Sequence, residues 1–146
     1  MKIAVGSDHR GVPPKERLRA LLVSNGHDVR DVGAHGPAGV DYPDFAIQVA
    51  ELVAAGTIER GILLCATGHG MCIAANKVRG IRAANCRDMV DAEMSRQHND
   101  ANVLCLSSEL IGDELMERLV KAWIVTPFDG GRHTRRLNKI SQYEAR

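Results

Sequence analysis

GILLCATGHGMCIAANK, residues 61–77, decides how this chain folds. Gly61 to Cys65 show no polar alternation, as expected of a strand buried on both faces inside a parallel sheet. Gly68 and Gly70 punctuate a turn, and the residues from about Gly70 to Lys77 continue as a helix. Cys65 therefore sits at the last strand position, with Thr67, Gly68 and Gly70 directly behind it. A packing residue, a nucleophile, a proton-transfer base and a metal ligand would all fit there.

The same strand-then-helix unit recurs on both sides. Upstream, KIAVG (2–6) is a short apolar strand, and Pro13-Pro14 open a helix with Leu18, Leu21 and Leu22 on one face that ends at Asn25-Gly26. HDVRDVG is a second, more exposed strand, followed by a Gly-, Pro- and His-rich loop (33–43). DYPDFAIQVAELVAAG is a helix with Phe45, Ala46, Val49 and Val53 inward. Downstream come the strand IRAAN, a polar helix over about 88–97, the strand NVLCLS, and the amphipathic helix GDELMERLVKAWIV, which stops at Thr126-Pro127. RHTRRLNKISQYEAR forms a last helix with Leu137, Ile140 and Tyr143 along one stripe. With no internal repeat or linker, the alternation predicts a single domain over 1–146. The expected fold is an α/β, three-layer Rossmann-like sandwich with a mainly parallel five-stranded sheet.

Bulk properties remove several function classes. A formal net charge of +1 leaves no electrostatic footprint for nucleic acid or an anionic membrane. Aromatics at 3% give no stacking platform for single strands. No apolar run approaches membrane-spanning length, and MKIAVGSDH has no signal-peptide layout, so a cytoplasmic protein is expected. Cys65, Cys72, Cys86 and Cys105 show no CxxC pairing, which argues for reduced thiols rather than disulfides or structural zinc. Cys72, Cys86 and Cys105 are expected to be packing residues.

In open α/β sheets ligands bind at the carboxyl ends of the strands. The groups expected to gather there are Asp8-His9-Arg10, the segment Cys65 to Gly70, and Asn85 to Asp88. His98-Asn99-Asp100 and the GGRHTRR run with Arg132, His133, Arg135 and Arg136 are expected to join them. Taken singly, a His-Asp pair is usually a solvated hydrogen-bonding pair and an arginine run a solvated face. The context of Cys65 raises it above packing. A glycine-rich turn into a helix presents unpaired N–H groups that stabilise anions and pull a thiol below its free pKa of about 8.5. Such a cradle could equally hold a phosphate; it is neither a Walker loop nor a dinucleotide fingerprint.

A base beside an oxyanion cradle suits moving a carbonyl along a sugar through an enediolate, where each placed donor contributes about 3 kcal/mol. A histidine suits ring opening, and clustered arginines grip a terminal phosphate. This chemistry requires no metal and no organic cofactor.

With Asp8-His9, Asp41-Tyr42-Pro43, Cys65 to Lys77, SRQHND and GGRH in that order, the chain resembles the type B ribose-5-phosphate isomerases. That family extends to galactose-6-phosphate isomerase subunits and related aldose–ketose isomerases. The resemblance covers nearly the whole chain; IAANK followed by GIRA, and SRQHNDAN, carry most of it. It implies interconversion of ribose 5-phosphate and ribulose 5-phosphate. Cys65 would shuttle the proton between C1 and C2, supported by Thr67, and the backbone of Ala66, Gly68, His69 and Gly70 would hold the enediolate oxygens. His98 would open the ring beside Asn99. Asp8 and Tyr42 would contact hydroxyls, and His9, Arg132 and Arg136 would bind the phosphate. It further implies a homodimer or homotetramer with sites shared between subunits. The last helix, about 132–146, is then a candidate interface element, though core packing explains its stripe equally well.

Two positions depart from the family: Ala66 stands where glycine is usual, and Glu109 where many relatives carry a phosphate-contacting arginine. A carboxylate in a phosphate pocket would cost roughly 4 kcal/mol at about 4 Å. Glu109 is therefore expected to point away, to pair with an arginine, or to mark a different substrate; His69 could trim the pocket likewise. The rival readings are an isomerase of a tetrulose, allose or galactose phosphate, a metal-dependent isomerase using His9, His69, His98 and His133, and a non-catalytic phosphosugar or nucleotide sensor.

Overall fold

The computed structural model describes all 146 residues. Strands β1 (Lys2–Ser7), β2 (Asp28–Asp31), β3 (Arg60–Cys65), β4 (Ala83–Asn85) and β5 (Val103–Ser107) form one sheet in the order β2-β1-β3-β5-β4. Every pair is parallel, so the sheet is wholly rather than mainly so. Helices α1 (Val12–Ser24), α2 (Tyr42–Ala54), α3 (His69–Ala75), α4 (Met89–Asn99), α5 (Asp113–Val125) and α6 (Arg132–Glu144) follow the strands.

Strand side chains alternate between two apolar layers. Ile3, Val5, Ile62, Leu64, Leu104 and Leu106 pack with residues of α1, α4 and α5, including the fully buried Trp123. Ala4, Leu63, Cys65, Val103 and Cys105 pack against α2 and α3. That is the expected three-layer sandwich. After β1 the chain moves outward to β2, then crosses back to β3, so a crevice opens between the carboxyl ends of β1 and β3.

Local chemistry sets the element ends. Proline at the first turn starts α1 and α2. Asp88 caps α4 by accepting from the Asp91 N–H at 2.8 Å. β4 is shorter than the IRAAN stretch suggests, because the Arg82 N–H bonds the Asn102 side chain at 2.8 Å instead of a ladder partner. α4 runs past its expected end to Asn99, where Asp100 takes a left-handed conformation at φ 45 and is held by Arg82 and Arg96. Lys15 is fully buried, and its Nζ lies 2.6 and 2.7 Å from the two Asp31 oxygens, tying α1 to the edge strand β2. α6 lies outside the sandwich; only His133 is buried, while Ile140 and Tyr143 are 48% and 70% exposed. No helix is long and apolar enough to cross a membrane.

Candidate active site

Asp8 follows β1, and its N–H donates to Leu64 O on β3 at 3.2 Å. One carboxylate oxygen accepts from the N–H groups of Arg10 (3.0 Å) and Gly11 (3.1 Å), closing a short 3-10 turn over His9–Gly11. His9 Nδ1 accepts from the Val40 N–H at 3.3 Å, so the neutral ring carries its proton on Nε2.

Cys65 ends β3 opposite Ser107 of β5, and its carbonyl accepts from the Ser108 N–H at 2.9 Å. The residue is 5% exposed, and the Gly68 N–H donates to its sulfur at 3.2 Å. The His69 N–H donates to Thr67 Oγ1 at 3.3 Å. Two glycines make the turn possible. Gly68 has φ +81, and a Cβ there would lie 2.4 Å from Asn85 Oδ1. A Cβ on Gly70 would lie 2.7 Å from the Tyr42 ring, so Tyr42 packs directly against the turn. α3 has only seven residues, so the turn amides, rather than a long helix dipole, supply the positive potential at the sulfur.

Both departures have structural answers. Ala66 keeps a negative φ, so its methyl does not distort the turn. Its carbonyl accepts from Ser107 Oγ at 2.6 Å and from the Glu109 N–H at 3.3 Å. Glu109 pairs with Arg10, Oε1 to guanidinium at 2.5 Å, and this hydrogen bond raises the Arg10 pKa. The carboxylate therefore meets a cation brought from the end of β1.

The remaining expected residues are not brought to Cys65. A helix connecting parallel strands runs antiparallel to them, so its last turn lies at the amino edge of the sheet. His98 and Asn99 occupy that last turn of α4. Arg82 Nε donates to Asn99 O at 2.9 Å, and the Gly61 N–H at the start of β3 donates to Asn102 O at 2.9 Å. The expectation that SRQHND lies at the carboxyl ends is thus corrected: the length of β5, about 13 Å, intervenes. GGRHTRR shares the correction. The Asp129 N–H donates to Gln97 O at 3.0 Å, and His133 stacks on His98 with ring centroids 4.4 Å apart and planes 12° from parallel. Arg132 and Arg136 belong to this amino-edge group on α6. One chain therefore carries two half-sets: Asp8, His9, Tyr42, Cys65, Thr67, Gly68, His69 and Gly70 at one edge, and His98, Asn99, Arg132 and Arg136 at the other. Its three clefts, about 360, 310 and 190 Å³, exclude Cys65.

Burial, then the charges of His98, Arg132 and Arg136, hold the His133 pKa below its ordinary value. The folded state thus takes up this proton less readily than the unfolded chain, so stability falls as pH drops below about 6.5. Tm measured from pH 7.5 to 5 should fall less steeply in His133→Gln than in the wild type; equal slopes would remove His133 from the acid response.

Ligand atoms of His98, Asp129 and His133 lie within 4.8 Å of one another. The near-parallel rings send their lone pairs side by side rather than toward one point. His9 and His69 lie at the other edge, so the four histidines are not brought together within one chain. Cys86 and Cys105 are core residues: burial pushes Cys86 up to about 12 and Cys105 well above the usual range. Cys72 differs from a plain packing residue. A hydrogen bond with Cys105 draws it down to about 7, but its sulfur faces Ala83 O (3.4 Å) and Asn76 Nδ2 (3.6 Å), away from the turn. Ser107, which holds Ala66, was not singled out from the sequence; only its register opposite Cys65 reveals it.

A buried thiol that accepts from a turn amide, at the switch point of a parallel α/β sheet, is the arrangement that proton transfer beside a developing oxyanion would need. The profile of the ribose/galactose isomerase family matches residues 3–140, and the chain belongs to that family. It is 46% identical to ribose-5-phosphate isomerase B of Escherichia coli, over 99% of this chain and 97% of that one. It is 40% identical to D-erythrulose-4-phosphate isomerase of Pectobacterium atrosepticum, over 99% and 95%. Its structure is similar to ribose-5-phosphate isomerase B of Clostridium thermocellum, with TM-score 0.98, 48% identity, and 99% and 98% of the chains covered. For the Mycoplasma genitalium enzyme with bound ribulose-5-phosphate the values are 0.95, 42%, 98% and 95%.

Proposed function

We infer that this chain is an aldose–ketose isomerase that interconverts ribose 5-phosphate and ribulose 5-phosphate through an enediolate. The observation that carries the reading is the Gly68 N–H on Cys65 Sγ at 3.2 Å, a sulfur and an oxyanion donor built by one turn. The thiolate takes the proton from C2 and returns it to C1, Thr67 steadies the turn, and the amides from Ala66 to Gly70 receive the enediolate oxygens. Asp8 and Tyr42 orient hydroxyls. His9 joins the phosphate site with Arg132 and Arg136, and His98, beside Asn99, opens the sugar ring. The chemistry needs no cofactor, and the four free thiols suit a reducing cytoplasm.

Because the two half-sets lie at opposite edges, the working unit is at least a homodimer, each site joining the Cys65 edge of one subunit to the His98 edge of the other. The exposed stripe on α6 is the natural interface element. The test is complementation between Cys65→Ala and His98→Ala. Each alone should be nearly inactive on ribose 5-phosphate. An equimolar mixture allowed to exchange subunits should regain about one quarter of wild-type activity, since half the dimers then hold one intact site. No recovery in verified heterodimers would overturn the shared site, and inactive wild type would overturn the isomerase.

A second reading is favoured by the Arg10–Glu109 pair and by the D-erythrulose-4-phosphate isomerase relative: a preference for a four-carbon phosphate. Relative kcat/KM on four-, five- and six-carbon phosphates separates the two.

A further inference from the structure

We propose that Asn85, at the carboxyl end of β4, is a positioning residue that clamps the peptide plane whose N–H donates to Cys65, a role that rests on Cys65 being the proton-transfer base. The Gly68 N–H and the Thr67 carbonyl belong to one rigid peptide unit. Asn85 Nδ2 donates to that carbonyl at 3.2 Å, while the N–H at the other end reaches Cys65 Sγ at 3.2 Å. Fixing the oxygen fixes the direction of the donor. The clamp matters here because Gly68 sits at φ +81, and glycine adopts negative φ almost as readily. A flip of this plane would meet little backbone resistance and would point a carbonyl oxygen, an acceptor, toward the sulfur.

Asn85 is itself held from two sides. Nδ2 lies 3.0 Å from His69 Nδ1, and Oδ1 is buried without a hydrogen-bond partner, packed against the Gly68 Cα. Turning the amide over would set its oxygen against the Thr67 oxygen, two acceptors face to face. Nδ2 therefore faces Thr67. A neutral His69 ring has one lone pair for two donors, Asn85 Nδ2 at 3.0 Å and the Arg87 guanidinium at 2.8 Å, so these two compete for the ring and the clamp rests on the Thr67 carbonyl.

The test is the rate of Cys65 alkylation by iodoacetamide, followed by peptide mass spectrometry from about pH 6 to pH 10, alongside kcat and KM for ribose 5-phosphate. Asn85→Leu removes the donor at similar size. At pH 7 it should slow Cys65 alkylation about tenfold, the weight of one hydrogen bond to an ionised group. The gap should narrow toward pH 10, where free thiols are ionised. kcat should fall by a similar factor with KM within about twofold. His69→Leu and Arg87→Ala, which both leave the Asn85–Thr67 hydrogen bond in place, should change the rate far less. Wild-type alkylation in Asn85→Leu overturns the proposal, as does slowing that persists undiminished to pH 10, which marks lost access rather than a lost donor. Should Asn85→Leu not fold, Asn85→Ala, which also removes the donor, carries the same test. Alkylation needs no sugar, so this result is read whether or not ribose 5-phosphate turns over.

Discussion

Cys65→Ala is expected to lower kcat on ribose 5-phosphate by at least about 10³-fold while leaving sugar-phosphate binding within a few-fold of wild type. General-base catalysis contributes about 10²–10⁴-fold, and the variant loses the one group held beneath the Gly68 amide to take the proton. In the subunit that supplies Cys65, Asp8 has an oxygen engaged by the Arg10 and Gly11 amides, and His98 lies at the opposite edge. Phosphate affinity should survive because the proposed phosphate ligands, His9, Arg132 and Arg136, do not touch the sulfur. Turnover assays paired with titration calorimetry measure both quantities. Residual isomerisation within tenfold of wild type would take the cysteine out of the mechanism. The Gly68 amide remains in the variant, so a trace of enediolate stabilisation, and slow exchange of solvent deuterium at C2, should persist.

Asp31→Ala is expected to destabilise the fold by roughly 3–5 kcal/mol, the cost of stranding one partner of a buried ion pair. For a domain of this size that lowers Tm by about 10–15 °C. Lys15 is fully buried, and its other partner, Glu16, is a longer contact at 3.2 Å. Asp31 Oδ1 also accepts from the Gly33 N–H at 2.9 Å, at the start of the loop toward Tyr42. Burial pushes the Asp31 pKa up, but Lys15 and the Gly33 amide together bring it below its ordinary value. The folded state thus binds this proton less readily than the unfolded chain. The contribution is complete above about pH 4 and disappears as pH falls through the lowered folded value. Thermal unfolding should place the Lys15→Met, Asp31→Leu double variant well above Asp31→Ala, because removing both charges leaves none stranded. If the two variants unfold together, the charge imbalance is not the cause.

The alternation of strands and helices was legible because each element carries its own period and stop signals. GILLC fixes a doubly buried strand, Pro13-Pro14 and Pro43 fix helix starts, and Gly68 and Gly70 mark a turn that tolerates no side chain. The cradle at Cys65 was legible for the same reason: every part of it lies within six consecutive residues. Asn85 was harder to value, since its hold on Thr67 spans eighteen positions and depends on β5 lying between β3 and β4.

What the sequence determined, then, is everything built from neighbours along the chain: the elements, the parallel sandwich, and the thiol beneath its amides. Only the tertiary structure decided which reactive groups share an edge. His98 lies in the last turn of a helix that returns antiparallel to the strands, so its place near the start of β5, stacked on His133, follows from the path of the chain through space. Residue type and order carry no such information: direction relative to the sheet is a property of the whole fold, and it sets Cys65 and His98 at opposite ends of one subunit.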